Sequence, residues 1–323
     1  MDPPAKAITL RGIDLHDGTI LRSHGLDYLY GTEYGCGFTW AVPYTPWCGY
    51  GVSESRSLRG PWTAPILLFS PQATADSTGW TLDNGLTWNT ICSGQSALGC
   101  FNPRMVYNPT TRQWLLWFND LADNIRSSFT NDEVSGYWVM GCEGPAGPCG
   151  SSVPGEFDHK PNLPYCNLPG DDSVLTQGTE AAIICAPGPN LTLDEEGLTP
   201  NWEDGAPAHT VYASGSAEGV GGFQLADGQW EIVYSTPGCG YCSGPPTDIH
   251  GEVHAGYAIG PSILGPWTDE GLLSSGYCKG QPRTVFKVSG LAYELVDEWT
   301  GAYNETTAAL LMEPMGASPW SCS

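Results

Sequence analysis

Gly51-Val-Ser-Glu-Ser-Arg-Ser-Leu-Arg-Gly-Pro-Trp62 returns far down the chain as Gly256-Tyr-Ala-Ile-Gly-Pro-Ser-Ile-Leu-Gly-Pro-Trp267, with the leading glycine and the closing Gly-Pro-Trp at identical spacing. A shifted, weaker copy runs from Gly136-Tyr-Trp-Val-Met-Gly to Gly147-Pro-Cys149. Fixed spacing of this kind marks a repeated supersecondary unit. A second element recurs beside it, an aromatic followed by alternating strand residues: Tyr28-Leu-Tyr, Trp114-Leu-Leu-Trp-Phe, Trp230-Glu-Ile-Val-Tyr and Tyr293-Glu-Leu-Val. Ala181-Ala-Ile-Ile-Cys is a weaker fifth copy, so the 323 residues divide into units of about 65 residues, enough for four short strands and their loops. The 42 glycines and 27 prolines are spread along the chain, as tight turns between many short strands require. These features predict an all-β, five-bladed β-propeller that uses residues 1–323 as one domain. A two-sheet sandwich with incidental repeats is the competing arrangement.

Counting back from each aromatic-led strand reaches the presumed innermost strand of its blade, where Asp17, Asn102, Asp171, Glu218 and Gln281 stand. Innermost strands of a propeller run along the axis and begin on one face. The five polar side chains are therefore expected to line a single pocket, with three carboxyls among them.

The formal charge of −23, from 35 acidic and 12 basic side chains, repels phosphodiester backbones and anionic lipid surfaces, which argues against nucleic-acid and membrane partners. A neutral carbohydrate is compatible with that charge, and aromatic residues supply flat apolar faces for sugar rings. Twelve cysteines point to disulfides formed in an oxidising compartment. Sequence neighbours 36 with 48, 92 with 100 and 142 with 149 are the natural staples, although spacing does not decide connectivity. Cys239-Gly-Tyr-Cys242 reads as disulfide chemistry, since neither a second C-x-x-C nor a suitable histidine pair completes a zinc site. Met1-Asp-Pro-Pro has no basic and apolar leader, and no run of eighteen apolar residues follows. A secreted, monomeric protein is expected, its signal peptide removed and an initiator Met supplied. The sequons at Asn190 and Asn304 agree with secretion.

Hydrolysis of a glycosidic bond with inversion needs an acid to protonate the leaving oxygen and a base to activate water from the opposite side. A further carboxylate beside the acid raises its pKa. His16-Asp17-Gly-Thr-Ile-Leu followed by Asp27-Tyr-Leu-Tyr-Gly-Thr resembles the opening of glycoside hydrolase family 43, with its H-D-P-x-I segment and Y-Y-L-Y-G-T-like strand. Asp171-Asp-Ser-Val-Leu is similar to that family's D-x-S-L segment, Glu218-Gly-Val to its E-G-P, and Phe101-Asn-Pro-Arg to its second-blade W-A-P. Gln281-Pro with Asp297-Glu-Trp299 resembles the fifth blade of galactan- and furanoside-cleaving branches. The resemblance implies Asp17 as general base, Asp171 as pKa modulator and Glu218 as general acid. Gly18 and Val220 depart from it, each standing where the family has proline. Asp172 beside Asp171 leaves the modulator open between the two, because alternation lets only one face the pocket; Asp171 is preferred.

His16, Glu33, Asn102, Arg104, Gln281 and Trp299 are the substrate-binding candidates, His16 standing equally well as a core histidine, and Glu180 is read as structural. His250-Gly-Glu-Val-His254 does not match a zinc-protease helix, which needs Glu directly after the first His. The resemblance implies a secreted inverting exo-glycosidase, with α-L-arabinofuranosides as first choice of substrate. Galactofuranosides, β-1,3-galactan and xylosides remain alternatives, as does a carbohydrate-binding propeller without activity. Acid/base hydrolysis requires no cofactor; a structural calcium ion is compatible with a propeller axis, but no ligand set is readable.

Overall fold

In the computed structural model, residues 6–40, 42, 44–76, 86–93, 99–121, 135–187, 192–212, 217–236, 254–273, 280–300, 302 and 304–315 are described. Each of the five aromatic-led segments becomes the second strand of a four-stranded antiparallel sheet. Blade I is β2 (Ile20–Ser23), β3 (Leu26–Thr32), β4 (Tyr50–Ser55) and β5 (Ile66–Leu67). Blade II is β6 (Cys100–Asn108), β7 (Gln113–Asp120), β8 (Gly136–Cys142) and β9 (Asp158–His159). Blade III is β10 (Gly170–Gln177), β11 (Glu180–Pro187), β12 (Leu193–Leu198) and β13 (Gly205–Tyr212). Blade IV is β14 (Glu218–Gln224), β15 (Trp230–Thr236), β16 (His254–Gly260) and β17 (Thr268–Leu272). Blade V takes β18 (Gln281–Val288), β19 (Leu291–Glu298) and β20 (Ala309–Pro314) from the C-terminal part and β1 (Ile8–Leu10) from the N-terminal part. Pairing of β1 with β20 closes the ring and covers the edge that β20 would otherwise present.

The Gly-Pro-Trp copies occupy equivalent turns after the third strands of blades I and IV. Gly60 and Gly265 both have positive φ, and both Gly-Pro bonds are cis. The Trp62 indole N–H donates to the Leu58 carbonyl at 3.3 Å, and the Trp267 N–H to Glu195 Oε2 at 2.8 Å. In blade II the corresponding hairpin after β8 is closed by the Cys142–Cys149 disulfide instead.

The second strands are buried because they lie between two neighbouring blades, which is why their apolar runs are nearly continuous. The largest cluster fills the seam between blades I and II, where Trp88 on the short helix α1 (Trp88–Cys92) meets Trp138 edge-on at 4.9 Å between ring centroids. Disulfides 36–48, 92–100 and 142–149 follow the expected neighbour pairing, and Cys166–Cys185 adds a fourth within blade III. Cys239, Cys242, Cys278 and Cys322 lie outside the described residues, as do Asn190 and His250. No helix among the described residues is long and apolar enough to cross a membrane.

Asn304 corrects the sequon reading. Its amide nitrogen donates to the carbonyls of Tyr34 at 3.0 Å and Phe38 at 2.7 Å, and its Oδ1 accepts from the Thr306 N–H at 3.2 Å. A glycan on that nitrogen would break the ties that hold the Tyr34–Phe38 loop. Replacing Asn304 by Ala leaves two carbonyls without their donor and is expected to lower stability by about 1–3 kcal/mol in urea unfolding. Mass spectrometry of the folded protein from a glycosylating host should find the Asn304 peptide unmodified.

Candidate active site

Asp17, Asp171, Glu218 and Gln281 converge on one cavity of about 240 Å³, as the shared phase of the inner strands predicts. Three of the five inner-strand entrances, those of blades II, IV and V, carry a register shift, between Phe101 and Arg104, Glu218 and Gly221, and Pro282 and Thr284. Asp17, Asn102 and Gly219 adopt left-handed backbone conformations at φ 61°, 58° and 55°. Such bulges bend a strand and re-aim its side chains, here towards the axis. A Cβ on Gly219 would lie 1.8 Å from the Pro282 carbonyl oxygen, and one on Gly18 would lie 1.7 Å from that of Tyr30. Glycine after Asp17 is therefore required by the close approach of β3.

Arg283 forms the centre of the site. Its Nη1 stands 3.0 Å from Asp171 Oδ2, and its Nη2 donates to Asp171 Oδ1 at 3.2 Å and to the side-chain carbonyl of Asn102. The same guanidinium lies 3.9 Å from Asp17 Oδ1 and 4.0 Å from Asp297 Oδ2. Asp171 also accepts from the Asn102 amide and the Gly219 N–H, both at 2.8 Å. Burial pushes the Asp171 pKa up, but Arg283 and these two donors outweigh it and hold the carboxyl below its ordinary value.

Glu218 and Asp17 are shifted the other way. Burial, reinforced by the Asp171 charge, raises Glu218 to about 8 against the pull of Arg283. Burial raises Asp17 to about 7, with Arg283 opposing it and Asp297 adding to it. Gln281 donates to Glu218 Oε2 at 3.1 Å and accepts from the Trp299 indole N–H at 2.8 Å. The backbone N–H of Asp17 is fixed on Asp297 Oδ2 at 2.9 Å, while Asp17 Oδ2 accepts no hydrogen bond among the described residues. Tyr34, Trp40, Phe101, Leu121 and Trp299 give the cavity an extended apolar wall, and Glu305 joins the lining.

Alternation settles the blade III pair: Asp171 lines the cavity, whereas Asp172 is wholly buried on the other side of β10. Burial there raises Asp172 to about 8, offset in part by Arg104.

Four substrate-contact candidates, His16, Arg104, Glu33 and Asn102, are not among the residues that line the cavity. His16 is fully buried behind Tyr34 and Trp299, with Nδ1 3.2 Å from Asp297 Oδ1 and Nε2 3.6 Å from Asp14 Oδ1. Burial disfavours its charged form, and the carboxylates of Asp297, Asp17 and Asp14 overcome that and raise its pKa. Arg104 lies beneath the cavity and donates to backbone carbonyls of Asp172 (3.0 Å), Asp17 (2.8 Å), Gly18 (2.5 Å) and Arg283 (3.2 Å), tying three blades together. Glu33 points away from the cavity, its Oε1 standing 2.3 Å from where a Cβ on Gly51 would be, and burial raises it to about 7. Asn102 is also fully buried and reaches the site through Asp171 and Arg283. Glu180 is exposed at the β10–β11 turn. Arg283 escaped the sequence reading although it follows Gln281 by two residues, the spacing of a shared strand face.

Solved structures similar to this chain include family 43 glycosidases. A family 43 β-1,3-galactosidase is 19% identical, with 94% of this chain matched to 56% of that one at a TM-score of 0.65. The chain has a family 43-like propeller fold. An exo-β-1,3-galactanase from Clostridium thermocellum is 18% identical and matches 95% of this chain to 60% of its own at a TM-score of 0.68. One from Phanerochaete chrysosporium, solved with galactose, is 16% identical over 95% of this chain and 61% of its own, with a TM-score of 0.68. The chain thus spans somewhat over half the length of these structures. No family model matches the chain, and comparison with curated proteins finds no match. Among the described residues no group of three or more His, Cys, Asp or Glu side chains is arranged to hold a metal ion.

The raised carboxyls make folding stability depend on pH. Glu218 at about 8 and Asp17 at about 7 exceed their unfolded values near 4, so between those limits the native state binds more protons than the unfolded chain. The slope of unfolding free energy against pH is then negative. Urea unfolding should show stability falling as pH rises from about 5 to 8, and Glu218→Gln should make that decline shallower.

Proposed function

We propose that this chain is an inverting exo-glycosidase that releases a terminal neutral sugar from a polysaccharide. The observation that carries the reading is the convergence of three carboxyls from three blades on one cavity, with Arg283 holding one of them ionised while the other two are pushed towards neutrality. Glu218 delivers its proton to the glycosidic oxygen as the C1–O bond breaks. Asp17 takes a proton from the water that attacks C1 from the opposite face, so the product leaves with inverted configuration. Asp171 stays anionic under Arg283 and keeps Glu218 protonated by like-charge repulsion. No cofactor enters this scheme.

The size of the cavity suits one sugar residue, which supports exo action, and its aromatic wall offers a stacking face for the ring. The names of the similar structures, β-1,3-galactosidase and exo-β-1,3-galactanase, move terminal β-1,3-linked galactose ahead of α-L-arabinofuranose as the substrate to test first. Four disulfides support an extracellular setting.

A panel of nitrophenyl galactoside, arabinofuranoside, galactofuranoside and xyloside, together with β-1,3-galactan, tests the substrate assignment. Proton NMR of the first product anomer tests the stereochemistry, and initial retention contradicts the inverting scheme. A propeller that only binds sugars releases no reducing sugar from any of them. Glu218→Gln and Asp17→Asn should each reduce turnover by about 10²–10⁴-fold while binding persists. The wild-type profile of kcat/KM should fall below a limb at about 7, where Asp17 takes up its proton, and above one at about 8, where Glu218 loses its own.

A further inference from the structure

At the end of the propeller opposite the cavity the side formed by blades I and V is basic, while exposed Glu180 and Asp227 lie on the hairpins of blades III and IV. Three adjoining hollows run from there up the outer side of blade V and share lining residues: Arg22 lines the axial hollow and the next one out, and Arg59 lines that hollow and the third, which reaches Arg11 at the height of the cavity. Lys6, Arg11, Arg22, Arg56, Arg59, Lys287 and buried Arg104 border them, seven of the twelve basic residues of a chain whose net charge is −23. No acidic side chain lines any of the three among the described residues. Arg22 shares its guanidinium with buried Asp27 at 3.0 Å, and Lys287 donates to the Gln224 carbonyl.

The internal repeat shows that folding does not call for these charges. Arg56 and Arg59 of the blade I turn correspond to Pro261 and Leu264 in the equivalent turn of blade IV. One side-chain contact recurs in both turns: Ser57 Oγ accepts from the Arg59 N–H at 3.2 Å, as Ser262 Oγ does from the Leu264 N–H at 3.3 Å, and the Arg59 guanidinium in addition donates to the Lys6 carbonyl at 3.5 Å. Leu58 and Ile263 are both buried. The arginines are thus additions to a turn that forms without them.

We infer that this basic strip is a second carbohydrate-binding surface, which holds carboxylate-bearing stretches of a polysaccharide at the end of the molecule opposite the catalytic cavity and along the outer side of blade V. The half-buried indole of Trp62 lies in the hollow bordered by Arg11 and Arg59, so an aromatic face and guanidinium donors stand together, as a uronate ring requires. Densely charged polyanions such as nucleic acids meet the repulsion of the whole molecule. A polyuronate carries each carboxylate on the sugar ring itself, so one ring can meet the Trp62 face and a guanidinium together. Binding here does not depend on the proposed hydrolysis, so the two succeed or fail separately.

Native electrophoresis of the full chain in gels containing polygalacturonate tests the surface. The wild type should be retarded at low salt and released at about 0.5 M salt, where the Debye length is only a few ångströms. The triple variant Lys6→Gln, Arg56→Gln, Arg59→Gln should bind about tenfold more weakly, three exposed ion contacts having been lost. Its hydrolysis of the best aryl glycoside should be unchanged. Arg56→Pro with Arg59→Leu, which copies the blade IV turn, should weaken binding with its thermal transition preserved, and this guards against loss through misfolding. An unretarded wild type, retardation undiminished in both variants, equal retardation by neutral galactan, or equal affinity for phosphatidylserine vesicles overturns the assignment.

Discussion

The site depends on a single buried cation. Inner strands starting at one mouth bring Asp17, Asp171 and Glu218 within electrostatic reach of one another and of Asp297 at the end of β19, and buried carboxylates without a counter-charge do not stay ionised. Arg283 contacts Asp171 most closely, at 3.0 Å, and Asp17 and Asp297 at 3.9 and 4.0 Å. A unit charge pair about 4 Å apart is worth about 4 kcal/mol at an effective dielectric constant near 20, or about three pKa units. That is enough to decide which carboxyl is charged at neutral pH. Asp171, with the shortest contact and two further donors, is held ionised, whereas Glu218 and Asp17 are pushed the other way. Its charge then acts on Glu218, so a single guanidinium sets opposite protonation states in carboxyls of neighbouring blades.

Aim is set by the backbone. Left-handed conformations at Asp17 and Asn102 cost about 1–3 kcal/mol each, and both residues recover part of this through buried hydrogen bonds. The Asp17 N–H goes to Asp297, and the Asn102 side chain spans Asp171 and Arg283. Arg104 serves the same end from below, because its four carbonyl contacts fix the backbones that carry Asp17, Asp172 and Arg283 relative to one another. One arginine distributes charge and the other distributes position.

The blade count and the mouth residues were legible because both repeat with the strands. Tyr28, Trp114, Ala181, Trp230 and Tyr293 all fall in second strands, and the polar residues ahead of them fall at the entrances. What misled the reading was phase. His16 adjoins Asp17 in sequence, and neighbours in extended chain point to opposite faces, so one of the two had to turn into the core. Arg104 follows Asn102 by two residues and would share its face in a regular strand, but the register shift between Phe101 and Arg104 resets the alternation. Tyr34, Trp40, Leu121 and Glu305 come from outside the inner strands, where no repeat phase marks them. Their contribution becomes visible only when the blades close around the axis.

The two ends of the inner strands of blades I and V carry opposite charge, and strand length holds them apart. Asp17 and Arg22 flank and end β2, and Gln281 and Lys287 lie towards opposite ends of β18. Five and six residues of extended chain span about 17 and 20 Å, about twice the Debye length of about 8 Å at physiological salt. Across solvent the two ends are therefore screened from one another, and the carboxyls at the mouth do not cancel the attraction of the strip for an anionic chain. A cavity crowded with carboxyls disfavours an anionic chain end and admits a neutral one, whereas the far end favours the anionic segments. Because a propeller has two ends joined by strands longer than the screening distance, both preferences fit in one small ring.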